Sequence, residues 1–197
     1  MAGMDVIVSS GLTPKNQPMN VGSQLCTQCG LCCTGALHDT ASAEPDEIAA
    51  LRSHGADIIV RERLHFGLPC PCLKGTSCGI YEERPRVCSR YRCRLLQEVE
   101  SAAVSLDEAT LKVRTARQLF ENVKSLMPAG MTVPQARAMC RGDQVSAVDP
   151  HLRLQLMALM RYLDLHFRHS EEGPVLHEEV LAMRDPKGIK EESHQHV

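Results

Sequence analysis

The sequence predicts a mainly α protein: a small, loop-rich, cysteine-cluster segment joined to a helical C-terminal half. Two observations predict it. Nine of the ten cysteines fall between positions 26 and 93, in a stretch repeatedly interrupted by proline and glycine. After Cys93 cysteines nearly vanish, and apolar residues recur every three or four positions. A chain of 197 residues has room for one generous domain or two small ones. The expected divisions are a flexible N-terminal arm at 1–20, a cysteine-rich module at 21–98, a helical region at 99–183 and a disordered tail at 184–197.

Composition narrows the classes. Aromatic residues make up 3% and Trp is absent, so the core must be built from Leu, Val, Ile, Met and Ala. A net charge of −2 gives no general attraction to nucleic acid or to an anionic membrane. No apolar run approaches the length of a membrane span. Residues 1–20 lack a basic stretch followed by an apolar one, so no signal peptide is expected. The expected location is therefore cytoplasmic, where thiols stay reduced and clustered cysteines point to metal rather than to disulfides.

In chain order, the run Cys26-Thr-Gln-Cys29-Gly-Leu-Cys32-Cys33 comes first, with Gly30 and Gly35 free to turn tightly. Glu44-Pro45-Asp46-Glu47 opens a short helix, with Ile48, Leu51 and Ala49 as its expected buried face and Gly55 as its end. Residues 57–64 fit a strand or an irregular link. From Leu68 to Cys93, Pro69, Pro71, Gly75, Gly79 and Pro85 break regular structure, and a bound metal would supply the missing cross-link.

Ser105 and Glu108 then form a capping box ahead of Leu106, Ala109, Val113, Ala116, Phe120, Val123 and Met127, the apolar stripe of a long helix. Thr132 with Gln135 starts a shorter helix that should end near Gly142. Asp149-Pro150 caps a third, whose stripe is Leu152, Leu156, Leu159, Met160, Leu163 and Phe167. Leu154 and Leu165 lie off that stripe, which suggests burial on more than one face. A last short helix is expected at 171–183.

The chemistry is carried by the thiols. The candidate metal ligands are Cys26, Cys29, Cys32 and Cys33, with Cys70, Cys72, Cys78, Cys88 and Cys93 downstream. Several thiolates together suit zinc, Cu(I) or the irons of a cluster. Cys26-x2-Cys29-x2-Cys32 matches the first three positions of the bacterial ferredoxin run, which favours an iron–sulfur cluster of the [4Fe–4S] type. Zinc is the alternative, although the downstream cysteines do not repeat a separated Cys-x2-Cys pair. A disulfide framework and a thioredoxin-like redox pair are weaker readings, the latter because no strand–helix–strand pattern surrounds the motif. Cys140 sits in a helical pattern and reads as a small apolar residue.

Arg84, Arg86, Arg90, Arg92 and Arg94 crowd around Cys88 and Cys93 with no acid among them. Cations beside thiolates offset their charge. The 21–98 segment balances nine basic against nine acidic residues, so charge compensation outweighs nucleic-acid binding. A simpler role for Arg84 is a salt bridge to Glu82 or Glu83. His38, His54 and His65 lie between the cysteine groups as substitute ligands or ordinary solvated residues.

Taken together, Cys26-x2-Cys29-x2-Cys32-Cys33, then Pro69-Cys70-Pro-x-Leu73, then Cys78-Gly-Ile80-Tyr81-Glu82-x-Arg84-Pro85-x2-Cys88-x2-Tyr91, resembles the bacterial YkgJ-type cysteine-cluster family, the zinc- or iron-chelating CxxCxxCC domain. The resemblance covers residues 25–93 and implies ligands at Cys26, Cys29, Cys32, Cys33, Cys70, Cys78 and Cys88. Cys93 often has a counterpart. Cys72 stands where the family usually has another residue, and Ser89 where it often has Arg. The resemblance implies that the Ile-Tyr-Glu-x-Arg-Pro segment is a turn presenting Cys78 and Cys88, with Tyr81 and Arg84 packed and paired around it. It implies metal chelation and no particular reaction.

The expected function is binding of a metal ion or iron–sulfur cluster, as carrier, sensor or assembly partner. Paired carboxylates, a nucleophile triad and a phosphate loop are not recognisable, which argues against an enzyme with its own turnover. The alternatives are an Fe–S dependent redox or protein-modifying enzyme or its electron donor, and a structural zinc module that presents the helical half to a protein or nucleic-acid partner.

Overall fold

The computed structural model of the chain describes residues 21–141 and 148–169. The expected N-terminal arm, the end of a helix at Gly142, the short helix at 171–183 and the tail lie outside those residues. Within them the fold is mainly α, with seven helices and two small sheets.

The cysteine segment opens with helix α1, Val21–Cys29, followed by a 3-10 turn, Leu31–Thr34. Strand β1 is Thr40–Ser42. A 3-10 turn at Pro45–Glu47 leads into α2, Ile48–Ser53. Glu44 and Glu47 form a reciprocal capping box, which satisfies backbone donors that have no partner inside the first turn. Leu51 is buried as expected, Ile48 is half-buried, and Ala49 is exposed, because one residue on from Ile48 the helix has turned about 100° away from the Ile48–Leu51 face.

The ambiguous stretch 57–64 resolves into β2, Ile58–Val60, and the start of β3, Leu64–Gly67. The sheet order is β1-β3-β2, antiparallel throughout, and Phe66 pairs with both Ala41 and Ile58. Phe66 is thereby buried at the middle of a small second core with Ala43, Leu51 and Ala56, against which Cys70 and Cys88 pack. A two-residue turn joins β4, Leu73–Lys74, to β5, Ser77–Cys78. Helices α3, Arg86–Arg90, and α4, Arg94–Glu100, complete the segment.

The helical half follows the sequence closely. Helix α5 spans Leu106–Leu126, and the Ser105 hydroxyl accepts the Glu108 amide. Helix α6 is Val133–Arg141 and α7 is Pro150–His166, with the Asp149 carboxylate accepting the amides of His151 and Leu152. Helix α7 packs along α5, and α1 against both α4 and α5. The expected stripe of α7 is buried from Leu152 to Leu163. Leu154 and Leu165, however, are 62% and 45% exposed, so α7 buries one face only. Leu25, Leu31, Ala36 and Leu37 of the cysteine segment lie in the same apolar core as α5 and α7. No helix among the described residues is long and apolar enough to cross a membrane.

Candidate metal centre

Local geometry decides where each thiol points. Cys26 and Cys29 stand three residues apart at the end of α1, on one side of the helix. The helix stops at Gly30, whose φ is +65°. A Cβ there would lie 2.7 Å from the Thr76 carbonyl oxygen, so only glycine fits against the β4–β5 turn. The next 3-10 turn carries Cys32 and Cys33, anchored by the fully buried Leu31 and by the Thr34 hydroxyl donating to the Leu31 carbonyl at 2.8 Å. The Cys70 amide donates to the Cys33 carbonyl at 2.8 Å, and the Gly79 amide to the Cys72 carbonyl at 2.7 Å. These bonds tie the upstream cysteines to the hairpin that bears Cys78. Cys88 sits on α3, and Cys93 is the N-cap residue of α4.

The thiols surround two hollows. The larger, of about 340 Å³, is lined by Cys33, Cys70, Cys72, Cys78 and Cys88, together with Cys26 and Cys32. Phe66, His38 and Tyr91 are on other parts of its wall. The smaller, of about 40 Å³, lies on the helical side between Cys29 and Cys93 and again reaches Cys26 and Cys32. Leu25, Leu37, Leu95 and Phe167 line it too. All nine predicted ligands thus line one hollow or both. Cys140 is elsewhere, half-buried against the main core, as its apolar reading requires. Among the described residues no three His, Cys, Asp or Glu side chains are grouped closely enough to hold an ion in the conformation seen.

Burial pushes the Cys29 thiol up, and raises Cys70 to about 11 and both Cys88 and Cys93 to about 12. Burial and then the neighbouring Cys32 raise Cys26, while Arg84 and Arg92 oppose them. Cys32 and Cys33 lie 3.9 Å apart, sulfur to sulfur. A hydrogen bond from Cys33 holds Cys32 down at about 7, and the same bond, then burial, pushes Cys33 up. Cys29, Cys33, Cys70, Cys88 and Cys93 therefore carry protons at neutral pH, which an incoming soft cation must displace.

The arginines divide their work. Arg86 pairs with Asp46 at 2.6 Å, Arg92 with Glu100 at 3.2 Å and Arg94 with Glu98 at 2.8 Å. In place of the expected bridge to Glu82 or Glu83, Arg84 lies over the Tyr81 ring at 4.0 Å. From there it lowers Cys26, Cys32 and Cys88, though it is never the largest influence on them. His38 and His65 line the larger hollow, whereas His54 is exposed beyond α2.

Two residues of the site went unrecognised in the sequence. Arg137 of α6 and Arg168, just past α7, are 1% and 3% exposed. Arg137 donates to the carbonyls of Ala36 and Gly35, and Arg168 to those of Ala36 and Leu37. Asp39 and Asp164 balance their charges. The loop they hold directly follows Cys33. Isolated arginines in amphipathic helices read as solvent-facing, and no local signal marks these two.

The donor set is sulfur-rich, with seven thiols around one hollow and four around the other, which suits zinc or iron and not a hard oxygen-seeking ion. This is the chemistry of a thiolate chelator. Residues 25–111 match the model of the CxxCxxCC family, described as a "Putative zinc- or iron-chelating domain". It is the cysteine-cluster family that the sequence resembles, and the match takes in all nine clustered cysteines and the start of α5. No curated protein and no solved structure matches the chain.

Proposed function

We propose that the protein binds zinc or iron, the latter as an iron–sulfur cluster, through the thiolates of its cysteine segment, and serves as a metal carrier, sensor or assembly partner in the cytoplasm. The observation that carries this reading is the convergence of seven thiols, from separate elements of the chain, on one hollow of about 340 Å³. The larger hollow, with seven thiols on its wall, has the room that a [4Fe–4S] cluster needs and a lone ion does not. Bound metal would supply charge to hold the thiolates together, and a cluster would also accept an electron. The chain's own contribution is positional. Gly30 turns the backbone between Cys29 and Cys32, the Cys33–Cys70 backbone bond joins the two cysteine groups, and Arg84 offsets part of the thiolate charge.

A structural zinc module is the second reading. It is favoured by Leu25, Leu31 and Leu37, which pack into the core of the helical half and would pass loss of the metal on to α5 and α7.

Anaerobic purification followed by metal analysis and a visible spectrum tests both. Stoichiometric iron with broad visible absorption supports the cluster reading. Colourless protein with bound zinc, whose helical signal falls on chelation, supports the structural one. Protein without stoichiometric metal overturns both.

A further inference from the structure

The nine thiols do not share one hollow. Cys29 and Cys93 line only the smaller, while Cys33, Cys70, Cys72, Cys78 and Cys88 line only the larger; Cys26 and Cys32 reach both. We propose that the chain holds two metal centres: a small inner centre, on the helical side, on Cys26, Cys29, Cys32 and Cys93, and a roomier outer centre on Cys33, Cys70, Cys78 and Cys88 with Cys72 beside it. This rests on the reading of the protein as a thiolate chelator and specifies how the thiols are divided.

Different elements build the two sets. The inner thiols come from the last turn of α1, the turn that follows it and the N-cap of α4, and α4 packs on α1. Both ends of this set are tied to the helical half. Arg117 donates to the Cys29 carbonyl at 2.9 Å, and the amide of Arg94, next to Cys93, donates to the Phe167 carbonyl at 3.0 Å. The outer thiols are knitted to one another instead, by the Cys70–Cys33 and Gly79–Cys72 backbone bonds and the β4–β5 pairing. The two sets meet where the Cys32 and Cys33 sulfurs lie 3.9 Å apart. Cys32, which lines both hollows, is the seam.

Size separates the two roles. The inner hollow, about 40 Å³, is close to the volume of one water molecule and is walled by leucines and Phe167. Four thiolates around such a space suit a single tetrahedral ion with no open position, the arrangement of structural zinc. The outer hollow is several times larger and has thiols, His38 and Tyr91 on its wall. It has room for a polynuclear centre, or for an ion that also takes an exchangeable ligand.

The test is zinc loading of the reduced full-length chain, with stoichiometry and release to a chromogenic chelator measured together. The expected result is two zinc ions per chain leaving in two phases, the outer fast and the inner slow. Cys88→Ser removes one ion and the fast phase; Cys93→Ser removes one ion and the slow phase. Cys70→Ser and Cys29→Ser repeat the comparison if either first variant loses its helical circular dichroism. One ion, a single release phase, or the same phase lost from both sets of variants overturns the division. A wild type that takes up no zinc or iron overturns the chelator reading itself, which separates the two failures.

Discussion

Arg137 and Arg168 both donate to the Ala36 carbonyl oxygen, at 3.0 Å and 2.9 Å, so two buried cations from the helical half meet on one peptide three residues past Cys33. Their repulsion is tolerated because Asp39 and Asp164 stand opposite and the carbonyls of Gly35, Ala36 and Leu37 accept from the guanidinium groups, although the buried Arg137 Nε finds no acceptor. Arg137→Ala removes one cation and strands its acceptors. Breaking a buried pair costs about 3–5 kcal/mol, and the half-exposed Asp39 places this case near the lower end. The expected outcome is a lower midpoint of denaturant unfolding together with weaker metal binding. Unchanged values for both would show that the loop holds without Arg137.

Cys29→Ser and Cys32→Ser should each reduce metal per chain, because serine lacks the soft thiolate. Cys140→Ser should leave it unchanged, since Cys140 packs against the helical core. Metal analysis of the three purified variants distinguishes them, and equal loss in all three would contradict the ligand set.

Gly30→Ala forces a side chain into a left-handed backbone position and against the Thr76 carbonyl oxygen at 2.7 Å. The backbone conformation alone costs about 1–2 kcal/mol, and the clash pushes the β4–β5 turn away from Cys32. Lower metal occupancy and an earlier melting transition are expected. A variant with wild-type occupancy would mean that the turn can move without disturbing the thiols.

The metal-free chain should lose stability in alkali. The unfolded thiols ionise near their ordinary value of 9.0, whereas burial holds Cys70 at about 11 and Cys88 and Cys93 at about 12. Across that interval the folded state keeps protons that the unfolded state has lost, so rising pH favours unfolding. Their stabilising contribution is complete below the unfolded value and disappears as pH passes the folded ones. Denaturation midpoints should therefore fall as pH rises from about 9 to about 12. A rise over that range would show that the thiols are not held protonated by burial.

The three helices of the C-terminal half were legible because each carries its own punctuation. Ser105, Thr132 and Asp149 cap them, and the stripes from Ala109 to Val123 and from Leu152 to Leu163 repeat long enough to define a period. The sheet was not. Its strands have three or four residues, too few to show alternation, and Phe66 is buried because β1 and β2 flank it on both sides. The set of candidate ligands followed from spacing, but its distribution over two hollows did not. That depends on α4 folding back onto α1, a contact between positions far apart in the chain. Arg137 and Arg168 escaped notice for the same reason: their acceptors are backbone carbonyls, which carry no mark in a sequence.

The walls of the inner hollow also impose an order of events on a growing chain. Every clustered thiol leaves the ribosome before Val113 and Phe167, which help to line that hollow. The gap from Cys93 to Phe167 is about 75 residues, or roughly 4–15 s of synthesis at about 5–20 residues per second. During that interval the nascent thiols stand open to oxidants and to whichever soft cation is nearest. Which metal is captured is then a question of timing as well as affinity, and a chain released before Phe167 would carry its cysteines without a complete shelter.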